Sequence, residues 1–180
     1  MDGIESVPMK IRNYHAKDAA LLAELYRRSV MILGLRDYSS QQVKAWASIG
    51  PDPERIHRLI ADGRTRIVAV DDSDRPVGFG DLERDGHIDL LYCSPHMAGK
   101  GVASTIYDEL ERIARERGAN RLYAEASEGA RRFFVKKGFT VIEMRQFQIS
   151  GVDIHHYAIE KTWANRPAGS AQPSHDAPTA

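Results

Sequence analysis

Cysteine is nearly absent: Cys93 is the single one in 180 residues. That excludes an internal disulfide and suits a reducing cytoplasm. No sign of charge prevails, since 25 Lys and Arg balance 25 Asp and Glu. A general nucleic-acid binder would carry a basic excess, so nucleic acid is not an expected partner. No run is long and apolar enough to cross a membrane. The N-terminus lacks the apolar stretch of a secretory signal. The expectation is a cytoplasmic chain with no membrane partner. From Asn165 onward no apolar residue is larger than Ala, and such a stretch cannot bury a core. A short N-terminal extension over 1–8, one domain over 9–163 and a disordered tail over 164–180 are therefore expected. At 42% hydrophobic and 28% charged, the composition is that of a globular domain.

Hydrophobic spacing predicts alternating elements. Residues 9–14 read as a strand. A helix follows over 17–33, with Leu22, Leu25, Tyr26 and Val30 on one face. Ser39 or Ser40 can cap a short helix through Ala47. Pro53 opens another, ending near Gly63. Strands are predicted over 65–70 and 76–82, joined by the polar run 71–76. A strand over 87–93 precedes a helix over 101–117 with Val102, Ile106, Leu110 and Ile113 aligned. A strand over 121–126, a helix over 128–137 and a hairpin over 139–149 and 152–160 complete the order. It implies an α/β fold, with a mixed, mostly antiparallel sheet of about seven strands and helices on both faces.

The stretch Leu91-Tyr92-Cys93-Ser94-Pro95-His96-Met97-Ala98-Gly99-Lys100-Gly101-Val102-Ala103 carries the chemistry. An apolar strand runs into a Gly-Lys-Gly turn that opens an amphipathic helix. Small residues let backbone amides point at an anion, where the helix dipole adds to them. A P-loop needs Gly five residues before its Gly-Lys pair and Ser or Thr after the Lys. Those positions hold Ser94 and Gly101. A dinucleotide fingerprint needs a third Gly, where this chain has Ser104.

The segment from Pro95 to Ala103 resembles the acetyl-CoA loop of the GNAT N-acetyltransferase superfamily, Arg/Gln-x-x-Gly-x-Gly/Ala. Gly101 and Ala103 fall on its two small positions, and Ala98 stands where Arg or Gln is usual. A second block, Ala130-Arg131-Arg132-Phe133-Phe134-Val135-Lys136-Lys137-Gly138-Phe139, is similar to the superfamily's Ala-x-x-x-Tyr-x-x-x-Gly-Phe passage. The early segment Tyr38-Ser39-Ser40-Gln41-Gln42-Val43-Lys44-Ala45-Trp46 resembles the YafP-type branch of its bacterial members. The resemblance spans roughly Met9 to Trp163. It implies the GNAT fold and acetyl-CoA as cofactor, held in a split between the strands 87–93 and 121–126. Backbone groups of Leu91, Tyr92 and Cys93 would meet the pantetheine arm. The loop of Ala98, Gly99, Lys100, Gly101, Val102, Ala103 and Ser104 would take the pyrophosphate. Phe133 and Phe134 would lie along the same cofactor.

An alkyl ammonium has a pKa near ~10 in water, so a group facing the thioester must take its proton. Asp89, which interrupts the apolar run Ile88-Asp89-Leu90-Leu91, is the first candidate; the superfamily often carries a Glu base on that strand. His87, two residues away on the same face, is a second, as an Asp-polarised imidazole. Glu125 occupies the other lip of the split and reads as a substrate contact. A Leu91–Cys93 amide would stabilise the oxyanion. The superfamily often protonates the departing thiolate with a Tyr at the position of Phe134; Tyr157, Tyr123 or Tyr92 is the candidate replacement. Cys93 lies under the cofactor track and is not read as a nucleophile. His155 and His156 point to opposite strand faces and chelate poorly, so no metal is expected. Substrate contacts are expected from Arg36, Tyr38, Trp46 and His155.

The reading is a direct acetyl transfer to a primary amine of a small molecule. The alternative is a non-catalytic acyl-CoA-binding or sensor protein, kept open by Phe134 and Ala98. A third, toxin-like action on aminoacyl-tRNA, is disfavoured by the neutral charge. Several members of the superfamily pair through sheet edges, which leaves a homodimer open.

Overall fold

The computed structural model of the chain describes residues 9–163. The extension and the tail expected at its two ends lie outside the described residues. Seven strands form two antiparallel sheets. The first, in the order β1-β2-β3-β4, joins β1 (Lys10–Asn13), β2 (Thr65–Val70), β3 (Pro76–Leu82) and β4 (Leu91–Cys93). The second, in the order β5-β7-β6, joins β5 (Arg121–Ala126), β6 (Thr140–Ile149) and β7 (Val152–Thr162). The sheets meet at one parallel bridge, His87 opposite Tyr123. There Ile88 donates to the Tyr123 carbonyl at 2.9 Å and Tyr123 to the Gly86 carbonyl at 3.1 Å. Beyond this bridge β4 and β5 are not paired.

Helices cover both faces, which is why β2 and β3 read as continuous apolar runs. Ile67 and Ala69 of β2 pack with the helix α4 (Val102–Glu116), while Val68 and Val70 pack with α1 (Ala19–Leu33) on the other side. The close approach of α4 depends on a glycine. A Cβ at Gly78 would lie 2.6 Å from Val102 Cγ1 and 2.9 Å from Ile106 Cδ1. The short helices α2 (Ser40–Ser48) and α3 (Pro53–Arg58) start as their sequences predict. Ser39 and Gln42 form a reciprocal capping box at α2, and Asp52 caps α3 with Pro53 in its first turn. Gln42 also donates to the Asp153 carbonyl at 2.8 Å, which docks α2 on β7. α5 (Glu128–Lys136) is capped by Ser127 and brings Phe134 into the core.

One expected element is shortened. The strand predicted over 87–93 is regular only at Leu91–Cys93. Asp81 N–H bonds the Leu90 carbonyl and Glu83 N–H bonds the His87 carbonyl, so the pairing slips by one residue between them. The extra residue is a bulge over Ile88–Leu90. The Leu90 amide is satisfied there by the buried Asp81 side chain, at 2.8 Å. Lys17 and Asp18, expected as the start of a helix, belong instead to a separate 3-10 turn over Ala16–Asp18 ahead of α1.

Candidate active site

The unpaired stretch between β4 and β5 is where the backbone has bonds to offer. The β3 register points the polar groups of Leu90, Tyr92 and Ser94 toward β3. Those of Leu91 and Cys93 therefore face the split. Below β4 lies a cleft of about 510 Å³. Its walls come from the end of α1, from α2, from β4, from the loop at Gly99 and Ala103, and from the inner face of α5. A smaller cavity of about 60 Å³ continues it into the split. Trp46, Leu91, Tyr92, Ser127, Ala130 and Phe134 border both. Asp89 and Glu125, one from each lip, border the inner one.

The loop ahead of α4 has the geometry of an anion nest. Gly99 and Gly101 have φ of +79° and +86°, a region that side chains rarely adopt. Gly101 caps α4 without a side-chain acceptor. The first-turn amides of Val102, Ala103 and Ser104 thus have no helical partner. The Val102 side chain is a core residue under Gly78, so only its backbone can serve a ligand. Arg36 and Lys136 bring cationic side chains to the same cleft. These amides, the cations and the open edge of β4 suit a long phosphorylated cofactor.

Asp89 places Oδ2 at 2.7 Å from Arg64 Nη1 and stands 36% exposed. Among the described residues, no hydrogen bond to the protein is found for Oδ1. His87 reaches neither cavity. Its Nε2 is 2.6 Å from Glu125 Oε2, its Nδ1 is 3.4 Å from Glu83 Oε1, and its ring stacks on Tyr123. The expectation of an Asp-polarised imidazole is corrected: the partners are two glutamates, because the bulge turns Asp89 onto Arg64. Burial opposes the charge of His87, yet Glu125, Glu83 and Asp89 outweigh it and raise its pKa above 6.5. The stability this adds is fully present below the unfolded value and is lost as pH rises through the folded one. Melting curves should show His87→Gln losing a fall in Tm that the wild type displays as pH rises beyond the ordinary imidazole value.

The remaining candidates separate by position. Phe134 is 3% exposed, in contact with Phe133 and Phe139, and forms a wall of both cavities. Trp46 stacks edge-on against Tyr38 and Phe147. Tyr38 faces the outer cleft with its ring, but its hydroxyl is occupied. It accepts from Glu128 N–H at 2.9 Å and donates to the His155 carbonyl at 3.1 Å. Burial pushes its pKa up to about 12. Tyr38→Phe should therefore cost about 1–3 kcal/mol of stability, read as a lower Tm, through two backbone groups left unpaired. Tyr157 and His155 border neither cavity. Tyr157 lies under Arg131, with the Glu128 carboxylate beside it raising its phenol, and His155 sits between Tyr38 and Tyr157. Burial raises the Cys93 thiol, which disfavours the thiolate a nucleophile needs.

Sequence reasoning overlooked Arg64, Glu83 and Asp81, and the fork of Arg132 on Asp37 at the cleft rim, with both bonds at 2.8 Å. The available signal was charge inside apolar strands, at Arg64-x-Arg66 and at Asp81. Glu83, His87 and Asp89 bring ligand-type atoms within 4.8 Å of one another. Arg64 already bonds two of the three, so the cluster is an ion-pair network. No helix of the described residues is long and apolar enough to cross a membrane.

The family model of the acetyltransferase (GNAT) domain matches residues 34–161. The chain is 31% identical over 144 residues to YafP, an uncharacterised N-acetyltransferase of Escherichia coli strain K12, across 79% of this chain and 89% of that protein. Its fold matches a GCN5-related N-acetyltransferase from Rhodopseudomonas palustris with a TM-score of 0.79 and 34% identity, covering 88% of this chain and 97% of the other. It also matches the PaiA N-acetyltransferase of Thermoplasma acidophilum, solved in complex with coenzyme A, with a TM-score of 0.70 and 21% identity over 87% of this chain and 100% of that one. This chain belongs to the GNAT acetyltransferase family and is an acyltransferase.

Proposed function

We propose that the protein acetylates a primary amine of a small molecule, by direct attack with both substrates bound. The observation that carries this reading is the inner cavity: it continues the long cleft into the split and is bordered by the carboxylates of Asp89 and Glu125. Bound acetyl-CoA supplies the thioester whose acetyl group is transferred. The amides of Gly99, Gly101 and Val102 to Ser104 hold its pyrophosphate, with Lys100, Arg36 and Lys136 adding charge. Leu91 and Cys93 align its arm along the open edge of β4, and Phe133 and Phe134 keep water from the other side. Asp89 takes the ammonium proton at Oδ1, directly or through one water, while Arg64 holds Oδ2. Glu125 and Trp46 orient the amine. Proton transfer to the leaving thiolate is not essential, since a thiol pKa near ~8.5 makes it a tolerable leaving group.

A panel of primary amines, scored by thiol release and by the mass of the product, tests the reading. At least one small amine should raise thiol release well above the amine-free rate. Saturable acetyl-CoA binding with no amine-dependent release across the panel would favour a cofactor-binding role instead.

A further inference from the structure

Arg64 stands between the left-handed Gly63 and the first residue of β2, and its side chain is 5% exposed. Its guanidinium carries five N–H donors. Nε bonds Asp62 Oδ2 at 2.9 Å; Nη1 bonds Asp81 at 3.0 Å and Asp89 at 2.7 Å; Nη2 bonds Asp62 at 2.7 Å and Glu83 at 2.8 Å. Every donor is used, and every acceptor is a carboxylate. Glu83 passes the chain on to His87 Nδ1, and His87 Nε2 passes it to Glu125. A continuous series Asp89–Arg64–Glu83–His87–Glu125 thus runs from one lip of the split to the other. The two carboxylates that border the inner cavity are its ends.

This series is more than a staple of the fold. Asp81 is already fixed by Arg66 and by its bond to the Leu90 amide. Asp89 lies in the bulge, outside β4, where no ladder sets its direction. We infer that Arg64 is a positioning residue for the transfer: it fixes Asp89 at the inner cavity and, through Glu83 and His87, couples it to Glu125. The inference rests on the reading of Asp89 as proton acceptor. An arginine is required because a lysine ammonium has three donors and no planar fork. The charged groups facing Asp89 are Arg64 and Asp62 from the β2 side, Asp81 and Glu83 from β3, His87, Glu125 from β5, and Arg145 of β6, which is 3.8 Å from Glu125. Among these Arg64 is the cation in direct contact, so it fixes the direction of the Asp89 carboxylate.

The test is the pH profile of kcat, at saturating acetyl-CoA and amine, for Arg64→Gln, Arg64→Lys, Glu83→Gln and Asp89→Asn. Arg64→Gln removes the cation that holds Asp89 and should move the acid limb up. Near pH 7 its kcat should fall roughly ten-fold, while the KM for acetyl-CoA stays within about two-fold. Glu83→Gln removes an anion and should move the limb the other way. Arg64→Lys should restore part of the lost rate. Should Arg64→Gln fail to fold, the half-exposed Glu83 variant decides. Acid limbs unchanged, or moved in one direction by both substitutions, overturn the inference. An acid limb left at its wild-type position in Asp89→Asn overturns the reading of Asp89 itself. A limb displaced by Asp89→Asn, yet untouched by the other variants, overturns the role of Arg64 alone.

Discussion

Asp89→Asn is expected to lower kcat by roughly 10²–10⁴-fold, the range that a positioned general base supplies. The substitution keeps the shape of the side chain and removes its capacity to hold a proton. The amine must then shed its proton to water before it attacks, and at neutral pH almost none is free. The cofactor track lies elsewhere, along Leu91–Cys93 and the loop before α4, so the Kd for acetyl-CoA should stay within about two-fold. Stability should change little. Arg64 keeps Asp62, Asp81 and Glu83, and Asp89 is 36% exposed, so the loss falls below the ~1.5–3 kcal/mol of a buried charge-assisted bond. Stopped-flow or steady-state thiol release gives kcat, and calorimetry gives Kd. A parallel loss of both would place Asp89 in the architecture of the cleft instead of the chemistry.

Ser104→Asp should weaken acetyl-CoA binding by on the order of 100-fold, since the new carboxylate opposes a doubly charged pyrophosphate at a few ångströms. The same change should leave the protein as stable as before, or more so. Ser104 is in the first turn of α4, where no acidic residue complements the helix dipole. An anion there is worth about 0.3–1 kcal/mol. Loss of affinity with a level or raised Tm separates a ligand-binding role for this turn from a folding role. Unchanged affinity would mean that the pyrophosphate is held by other groups.

What was readable from the sequence was local. The N-cap at Ser39, Pro53 at the start of α3, the Gly-Lys-Gly turn and the passage into Phe139 are each set by neighbours within a few positions. So are the strands β2 and β3, whose ends match their expected ranges. What was not readable needed partners far along the chain. The bulge at Ile88–Leu90 exists because Asp81 turns its side chain to the Leu90 amide, nine positions on. The anchoring of Asp89 comes from Arg64, 25 positions earlier, and the pairing of His87 from Glu125, 38 positions later. His87 and Asp89 do share one cluster, but the bulge between them takes the segment out of the period-two rule. That rule is silent on which carboxylate each cation chooses. Tyr157 shows the same limit. Its place on β7 opposite Ala126 follows from the register, yet the residue stands beside Glu128 and Arg131, outside both cavities.

Phe134 sharpens the mechanistic point. It is a wall of the inner cavity and carries no hydroxyl, so the proposed mechanism rests the rate on proton removal from the amine more than on proton delivery to the thiolate. The buried phenol of Tyr92 borders the same cavity, with its pKa driven well above the usual value by burial. It remains protonated across the working range, and its ring packs edge-on against Tyr26, 4.6 Å between centroids.

The measurement that tests this account most directly is the initial rate of thiol release as acetyl-CoA and an accepted amine are varied together. Direct transfer within a ternary complex predicts double-reciprocal lines that intersect, with no acetylated protein detectable by mass spectrometry when the amine is withheld. Parallel lines, accompanied by an acetyl group on Cys93 or any other side chain, would contradict it.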